Sequence, residues 1–113
     1  MGAYHTFPQS SDTTMKSFYV YILQCADRSY YTGHTDDLET RFAQHQCGAI
    51  ASCYTLSRRP VLLVYSQSFA TRDEALSAER KIKGWSRKKK EAMIRGDWAE
   101  VVRLARSSRR VDE

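Results

Sequence analysis

Long apolar segments are missing from this sequence of 113 residues. Uncharged apolar stretches such as residues 61–65 are short, whereas a membrane-spanning helix needs about 20 such residues. The N-terminal segment also lacks the positive charge and the apolar core of a secretory signal. We therefore expect a soluble, cytoplasmic protein whose length suffices for one compact domain.

Cysteine is also scarce. The three cysteines, Cys25, Cys47 and Cys53, cannot all pair within one chain, and no two of them have CxxC spacing. His45 lies near Cys47 and Cys53 in the sequence, but no fourth ligand accompanies them, which disfavours a zinc site. We expect reduced thiols, as is usual in the cytosol.

Positive charge is concentrated in the second half of the chain. Residues 1–57 have a net charge of −2 and residues 58–113 a net charge of +7. The segment 80–90 holds seven cations and no acid, with Trp85 among them, which is typical of a surface that binds a polyanion and stacks on a base. A solvated helix face is the structural alternative, and a membrane surface is disfavoured because no apolar helix face accompanies the charges. The expected nucleic-acid contacts are Lys81, Lys83, Trp85, Arg87, Lys88, Lys89 and Lys90.

Apolar patterning and turn signals predict the element order ββαβααα. The predicted strands cover 18–25, 30–33 and 61–69, and the predicted helices cover 36–47, 71–82, 86–95 and 98–106. The helix starts rest on Ser86 and on three pairs with capping-box spacing, which are Asp36 with Glu39, Thr71 with Glu74, and Asp97 with Glu100. Gly48 and Gly84 predict helix ends.

The second predicted helix places an acid on its apolar face. On a helical wheel, Glu79 falls between Leu76 and Ile82. Burying an ionised carboxylate costs several kcal/mol unless it has a cation, a donor network or a functional role. A salt bridge to Lys83 at the edge of the core is the structural alternative.

The first predicted helix places two polar side chains beside its apolar stripe. Arg41 and His45 are one turn apart along the flank of Leu38 and Phe42. A guanidinium beside an imidazole is a suitable pair for holding a phosphate. A hydrogen-bonded, partly buried histidine is the alternative for His45.

Tyrosines are concentrated in the predicted hairpin. With a three-residue loop, Tyr21 lies opposite Gly33 and Tyr31 lies opposite Leu23, so both phenols share one face. An even-numbered loop separates them, and cross-strand packing is the ordinary reason for tyrosine in strands. The residues alone leave this register open.

The motif Tyr19-Val20-Tyr21, followed by Tyr31-Thr32-Gly33, resembles the paired signature of the GIY-YIG nuclease superfamily, and in particular its small single-domain bacterial branch. Residues 35–45 are similar to the first helix of that family. Residues 79–85 resemble the segment with its metal-binding glutamate. The resemblance covers about 17–97, so we expect a polar, disordered leader over 1–16, a GIY-YIG-like domain over 17–106 and a charged, frayed tail over 107–113.

The resemblance implies an α+β fold, with a small three-stranded antiparallel sheet flanked by helices, and a metal-dependent DNA endonuclease. The residues that it assigns to the hydrolytic centre are Tyr21, Tyr31, Arg41, His45 and Glu79. One phenol would orient or deprotonate the attacking water, and His45 would assist proton transfer. Arg41 would stabilise charge on the phosphate, and Glu79 would hold one Mg²⁺ or Mn²⁺ ion.

Two departures from the family pattern accompany this resemblance. Tyr19 stands where the family has glycine, and the sequence contains no asparagine, which many members use late in the domain. With no second DNA-binding domain, weak sequence preference and single-stranded or structured DNA are expected. The alternatives are a catalytically inactive nucleic-acid-binding module of the same fold and a protein-interaction domain without salt-sensitive affinity for nucleic acid.

Overall fold

The computed structural model describes residues 16–50 and 53–111, so the predicted leader, apart from Lys16, lies outside the described residues. The predicted order ββαβααα is confirmed. The elements are β1 (Phe18–Gln24), β2 (Tyr30–Thr35), α1 (Leu38–Cys47), β3 (Leu62–Phe69), α2 (Arg72–Lys83), α3 (Arg87–Ile94) and α4 (Trp98–Val111).

The chain divides into two compact units, the first ending at Arg80 and the second beginning at Lys81. The first unit contains the sheet, α1 and most of α2. The second contains the end of α2 together with α3 and α4, which pack against each other. Among the described residues, no helix combines the length and the apolarity needed to cross a bilayer.

The sheet is antiparallel throughout, with β1 between β2 and β3. Tyr21 is paired with Gly33, and Leu23 is paired with Tyr31, so the register is the one that places both phenols on one face. Strand β2 extends beyond the predicted end at Gly33 to Thr35. The fold class predicted from the sequence is therefore confirmed.

Both faces of β1 are covered. On the phenol face, a buried cluster joins the central strand to α1 and to the start of β3; its members are Tyr21, Leu23, Cys25, Leu38, Val61 and Leu63, with Tyr19, Tyr31 and Phe42 at its border. On the other face, Val20 and Ile22 are fully buried. Each such aliphatic side chain contributes about 1.5–3 kcal/mol by burial, so the strand that bears Tyr21 is firmly fixed.

The N-cap of α1 differs from the prediction. The side chain of Asp37, rather than that of Asp36, accepts a hydrogen bond from the backbone N–H of Thr40 at 3.2 Å. The Thr35 hydroxyl accepts from the backbone N–H of Asp37 at 3.0 Å, which turns the chain before the helix and moves its start by one residue. The predicted helix end is confirmed, because Gly48 has a φ of 75°.

The remaining caps follow the prediction. Thr71 and Glu74 form a reciprocal capping box, with bonds of 3.2 and 3.3 Å, and Ser86 caps α3. The Asp97 side chain accepts a hydrogen bond from the backbone N–H of Glu100 at the start of α4.

The end of α4 differs from the prediction. The helix continues to Val111 instead of ending near residue 106, since neither glycine nor proline interrupts the segment.

Candidate active site

Tyr21 lies at the centre of the candidate site, in the middle of β1, and is 1% exposed. Its ring crosses β2 at Gly33, where an added Cβ would lie 2.6 Å from the phenol oxygen. The glycine of the Tyr31-Thr32-Gly33 motif is therefore required by a close approach between a side chain and a backbone. The hydroxyl of Tyr21 is hydrogen-bonded to Nε2 of His45 at 2.9 Å.

We assign the tautomer of His45 from the hydrogen bonds around its ring. Thr55 has one hydroxyl hydrogen, which it donates to Sγ of Cys53 at 3.5 Å. The Thr55 oxygen therefore accepts from Nδ1–H of His45 at 2.8 Å. Because the neutral imidazole holds only one hydrogen, Nε2 is the acceptor and the Tyr21 hydroxyl is the donor.

Both members of this pair are electrically neutral at pH 7. Burial, followed by the charge of Arg41, lowers the pKa of His45 to about 4. Burial also raises the pKa of Tyr21 above its ordinary value, and the positive charge of Arg41 only partly opposes this. The imidazole is thus free to accept a proton, and the phenol retains its own.

Tyr31 belongs to the same cluster. Its ring centroid is 5.1 Å from that of His45 and 6.3 Å from that of Tyr21. Burial, followed by the charge of Cys53 and a hydrogen bond to that thiol, raises the pKa of Tyr31 to about 12. Tyr31 is therefore a hydrogen-bond donor at neutral pH.

Arg41 lies on α1, one turn before His45, and is partly buried. Its charge lowers the pKa of Tyr21, Tyr31 and His45, so the guanidinium is within electrostatic reach of all three. The helical spacing predicted from the sequence accounts for this placement. Four of the five predicted hydrolytic residues are thus assembled on the phenol face.

Glu79 is buried, 7% exposed, as its position on the apolar face of α2 predicts. Its carboxylate contacts Nδ1 of His34. His34 pairs with Val20 and therefore lies on the face of β2 opposite to the phenols. The charge of Glu79 nevertheless raises the pKa of Tyr21 and Tyr31, so it acts on the cluster across the edge strand.

Sequence reasoning did not find three residues of this site: His34, Cys53 and Thr55. His34 follows the second motif directly, and strand alternation was a signal that it faces away from the phenols. Cys53 and Thr55 lie outside regular elements, where no periodicity marks them. Within residues 16–50 and 53–111, no group of three or more histidine, cysteine or acidic residues is arranged to hold a metal ion.

The basic segment predicted to contact nucleic acid lies in the second unit, from the end of α2 into α3. The ammonium of Lys89 lies 4.2 Å from the ring centroid of Trp85, a cation–π contact. Lys81, Lys83 and Lys88 are exposed. Burial, together with the charge of Arg87, lowers the pKa of Lys90. The segment thus presents positive charge to solvent.

Comparison with known families identifies the class to which this arrangement belongs. The family described as the GIY-YIG catalytic domain matches residues 17–92, and the chain therefore belongs to the GIY-YIG family. The resemblance found in the sequence is confirmed. The family is one of nucleases, which implies a nucleic-acid substrate and hydrolase chemistry, and its members generally use a divalent metal ion.

The similar proteins are small UPF0213 proteins. One from Staphylococcus haemolyticus is 48% identical over 80 residues, which cover 71% of this chain and 96% of that protein. Another, from Bacillus pumilus, is 49% identical over 76 residues, covering 67% and 76%. The solution NMR structure of the protein EF2693 from E. faecalis is 40% identical, with a TM-score of 0.50, and the match covers 71% of this chain and 84% of that one. These names specify no activity.

Proposed function

We propose that this protein is a divalent-metal-dependent endonuclease that hydrolyses DNA phosphodiester bonds, with single-stranded or structured DNA as its substrate, in the cytoplasm. The observation that supports this most strongly is the hydrogen bond from Tyr21 to Nε2 of His45, in a buried cluster that includes a second phenol and lies near Arg41. A phosphodiester hydrolase needs a proton acceptor for water and positive charge for the phosphate, and this cluster has both.

Water activation follows from the direction of that hydrogen bond. Since Tyr21 donates its hydrogen to His45, the lone pairs of its oxygen remain available for a water molecule. When the water attacks phosphorus, its proton passes to the Tyr21 oxygen while the Tyr21 proton passes to Nε2 of His45, and the bond from phosphorus to the leaving oxygen breaks with its electron pair on that oxygen. The phenol is never ionised, so its raised pKa does not impede the step.

Arg41 and Tyr31 are suited to bind the scissile phosphate. The guanidinium of Arg41 supplies positive charge and several donors. Tyr31 supplies a protonated hydroxyl, because its pKa is raised to about 12. A phosphate bound to Arg41 would also offset the charge that lowers the pKa of His45, which makes proton uptake by the imidazole easier when substrate is present.

The donor set at Glu79 fits a magnesium ion. Mg²⁺ keeps several waters and is usually held by one or two carboxylates plus substrate phosphate oxygens, and Glu79 is a buried carboxylate. In this proposal Glu79 holds the ion. A bound divalent cation would neutralise charge that develops on the phosphate and on the leaving oxygen. His34, which contacts Glu79, orients the carboxylate.

The test is a cleavage assay with labelled single-stranded and double-stranded DNA in the presence of Mg²⁺, Mn²⁺ or a chelator. We expect the wild type to cut with a metal ion and not with the chelator. Glu79→Ala should remain folded and abolish cutting, because it removes the carboxylate that holds the ion. Asp73→Ala, which removes an exposed acid from the same helix, is the matched control and should cut normally.

Two results of this assay would contradict the proposal. If the Glu79→Ala variant cuts DNA at the wild-type level, Glu79 does not hold the metal ion. Binding of DNA without any cutting, under every metal condition, would instead indicate a nucleic-acid-binding module of the same fold.

A further inference from the structure

A row of stacked side chains extends from the candidate active site to the surface. The ring of Tyr54 is 43% exposed and lies nearly parallel to that of Tyr31, at 17°, with ring centroids 6.4 Å apart. The guanidinium carbon of Arg58 lies 3.9 Å from the Tyr54 ring centroid. We call Arg58, Tyr54 and Tyr31 the stacking row.

The stacking row is held in place by its own segment. Arg58 donates from Nε to the Asp27 carboxylate at 3.1 Å and from Nη1 to the carbonyl of Tyr54 at 2.8 Å. The backbone N–H of Arg58 donates to the carbonyl of Thr55, and its carbonyl accepts from the N–H of Ala26, both at 2.9 Å. An exposed ring on such a fixed segment loses little conformational entropy when it binds a ligand.

We infer that Tyr54 and Arg58 form a binding subsite for an unpaired nucleobase of the nucleotide adjacent to the cleaved bond, in which the base stacks on the Arg58 guanidinium at the outer end of the row and the Tyr54 ring supports that guanidinium. Aromatic rings and guanidinium planes are the groups on which proteins stack single-stranded bases. The subsite adjoins Tyr31, so the inference rests on the proposed nuclease function. It also gives a reason for a single-stranded substrate, because bases in a duplex are already stacked on their neighbours.

A purely structural role for the same contacts is the competing explanation. In that case the Arg58–Tyr54 contact only packs the surface of the loop, and removing the ring affects stability but not the recognition of bases. Base recognition predicts a specific difference instead: the ring matters when the DNA carries bases and does not matter when they are absent.

The experiment measures binding of two oligonucleotides to the full chain without divalent metal, so that no cleavage is needed. One is a fluorescein-labelled oligothymidylate, and the other is the same backbone with abasic nucleotides. We expect the wild type to prefer the oligothymidylate, and Tyr54→Ala to reduce that preference by roughly 5- to 150-fold, the range for stacking of one base. Tyr54→Phe keeps the ring and should retain the preference.

Tyr54→Leu provides a second test, because it keeps apolar bulk without a π face and serves if the alanine variant fails to fold. A wild type without preference for bases, or an undiminished preference in both ringless variants, would overturn the subsite. Cleavage is scored separately with Mg²⁺. Cutting without any effect of Tyr54 would reject the subsite alone, whereas a Tyr54-dependent preference without cutting would reject the nuclease proposal alone.

Discussion

The burial of His45 disfavours the charged form of its ring, and the proposed mechanism uses the neutral form. The side chain is 1% exposed, and both ring nitrogens have hydrogen-bond partners. A histidine whose two ring nitrogens are both hydrogen-bonded is an ordinary structural residue when neither partner has a functional role. Here one partner is a motif tyrosine and Arg41 lies within electrostatic reach. In the proposed mechanism the same ring is therefore the proton acceptor.

We predict that His45 makes stability depend on pH. Its pKa is about 4 in the folded protein and near its ordinary value of 6.5 when unfolded. Between these pH values His45 binds a proton in the unfolded chain but not in the folded chain. The free energy of unfolding therefore falls as pH decreases from 6.5 to 4. The loss is roughly 3 kcal/mol, and it is measurable by urea unfolding across that pH range.

The matched variant for this measurement is His45→Gln. It removes the titrating ring, so its free energy of unfolding should fall less steeply from pH 6.5 to 4 than that of the wild type. Equal slopes for the two proteins would mean that His45 does not resist protonation. The groups whose charges or hydrogen bonds affect the ring are Tyr21, Arg41, Cys53 and Thr55.

For these individual residues, the sequence predicted which side chains are buried better than it predicted their hydrogen-bond partners. Helical periodicity correctly placed Glu79 on an apolar face and His45 beside one, because both lie in regular helices. The partners His34 and Thr55 come from a strand and from an irregular segment that are distant in sequence. Such pairing depends on tertiary contacts, which no local pattern encodes.

The β1–β2 hairpin determines whether the two motifs meet. Its register pairs Tyr21 with Gly33, and the missing side chain at Gly33 leaves room for the phenol. The odd-numbered loop places both phenols on one face, and a shift of one residue would separate them. The position of the two phenols, and with it the proposed hydrolytic centre, therefore depends on this hairpin.

We predict that Gly33→Ala destabilises the protein by about 1–3 kcal/mol, the usual cost of overpacking a core. The new Cβ would lie 2.6 Å from the Tyr21 hydroxyl, so the ring has to move and its hydrogen bond to His45 is lost. Urea unfolding checks the stability. Gly84→Ala is the control, since a Cβ there meets its nearest atom at an ordinary 3.6 Å; equal effects at both glycines would contradict the account.

At the scale of elements, local signals were reliable where a side chain caps its own helix. Thr71 with Glu74, Ser86 and Gly48 marked helix ends correctly. The start of α1 was wrong by one residue because Thr35, at the end of a longer β2, bonds to Asp37. The hairpin register had to come from the structure, since sheet pairing is a contact between separate segments.

For the molecule as a whole, charge is segregated along the chain. The second half has a net charge of +7, and its densest cationic segment lies, apart from Arg80, in the second compact unit. The residues of the proposed hydrolytic centre belong to the first unit. We propose that the second unit supplies affinity for the DNA backbone, whereas the first supplies the chemistry.

Replacing Lys88, Lys89 and Lys90 by alanine should weaken DNA binding and reduce its dependence on salt. Each lost phosphate contact lowers the salt slope by about 0.7 for single-stranded DNA. Binding titrations at several salt concentrations measure both quantities. Alanine at Arg95, Arg103 and Arg106, which are exposed cations outside the segment, is the control. Equal losses of DNA affinity in both triple variants would mean that the segment contributes only general positive charge and no specific contacts.

In the proposed mechanism the Tyr21 hydroxyl relays a proton from water to His45. Tyr21→Phe removes only that hydroxyl, so the ring should keep its packing and the protein its affinity for DNA. We predict that its single-turnover cleavage rate with Mg²⁺ falls by about 10²- to 10⁴-fold, the usual contribution of a positioned acid or base. Tyr19→Phe, on the same face of the same strand, should cut normally. Cleavage by Tyr21→Phe at the wild-type rate would contradict the account.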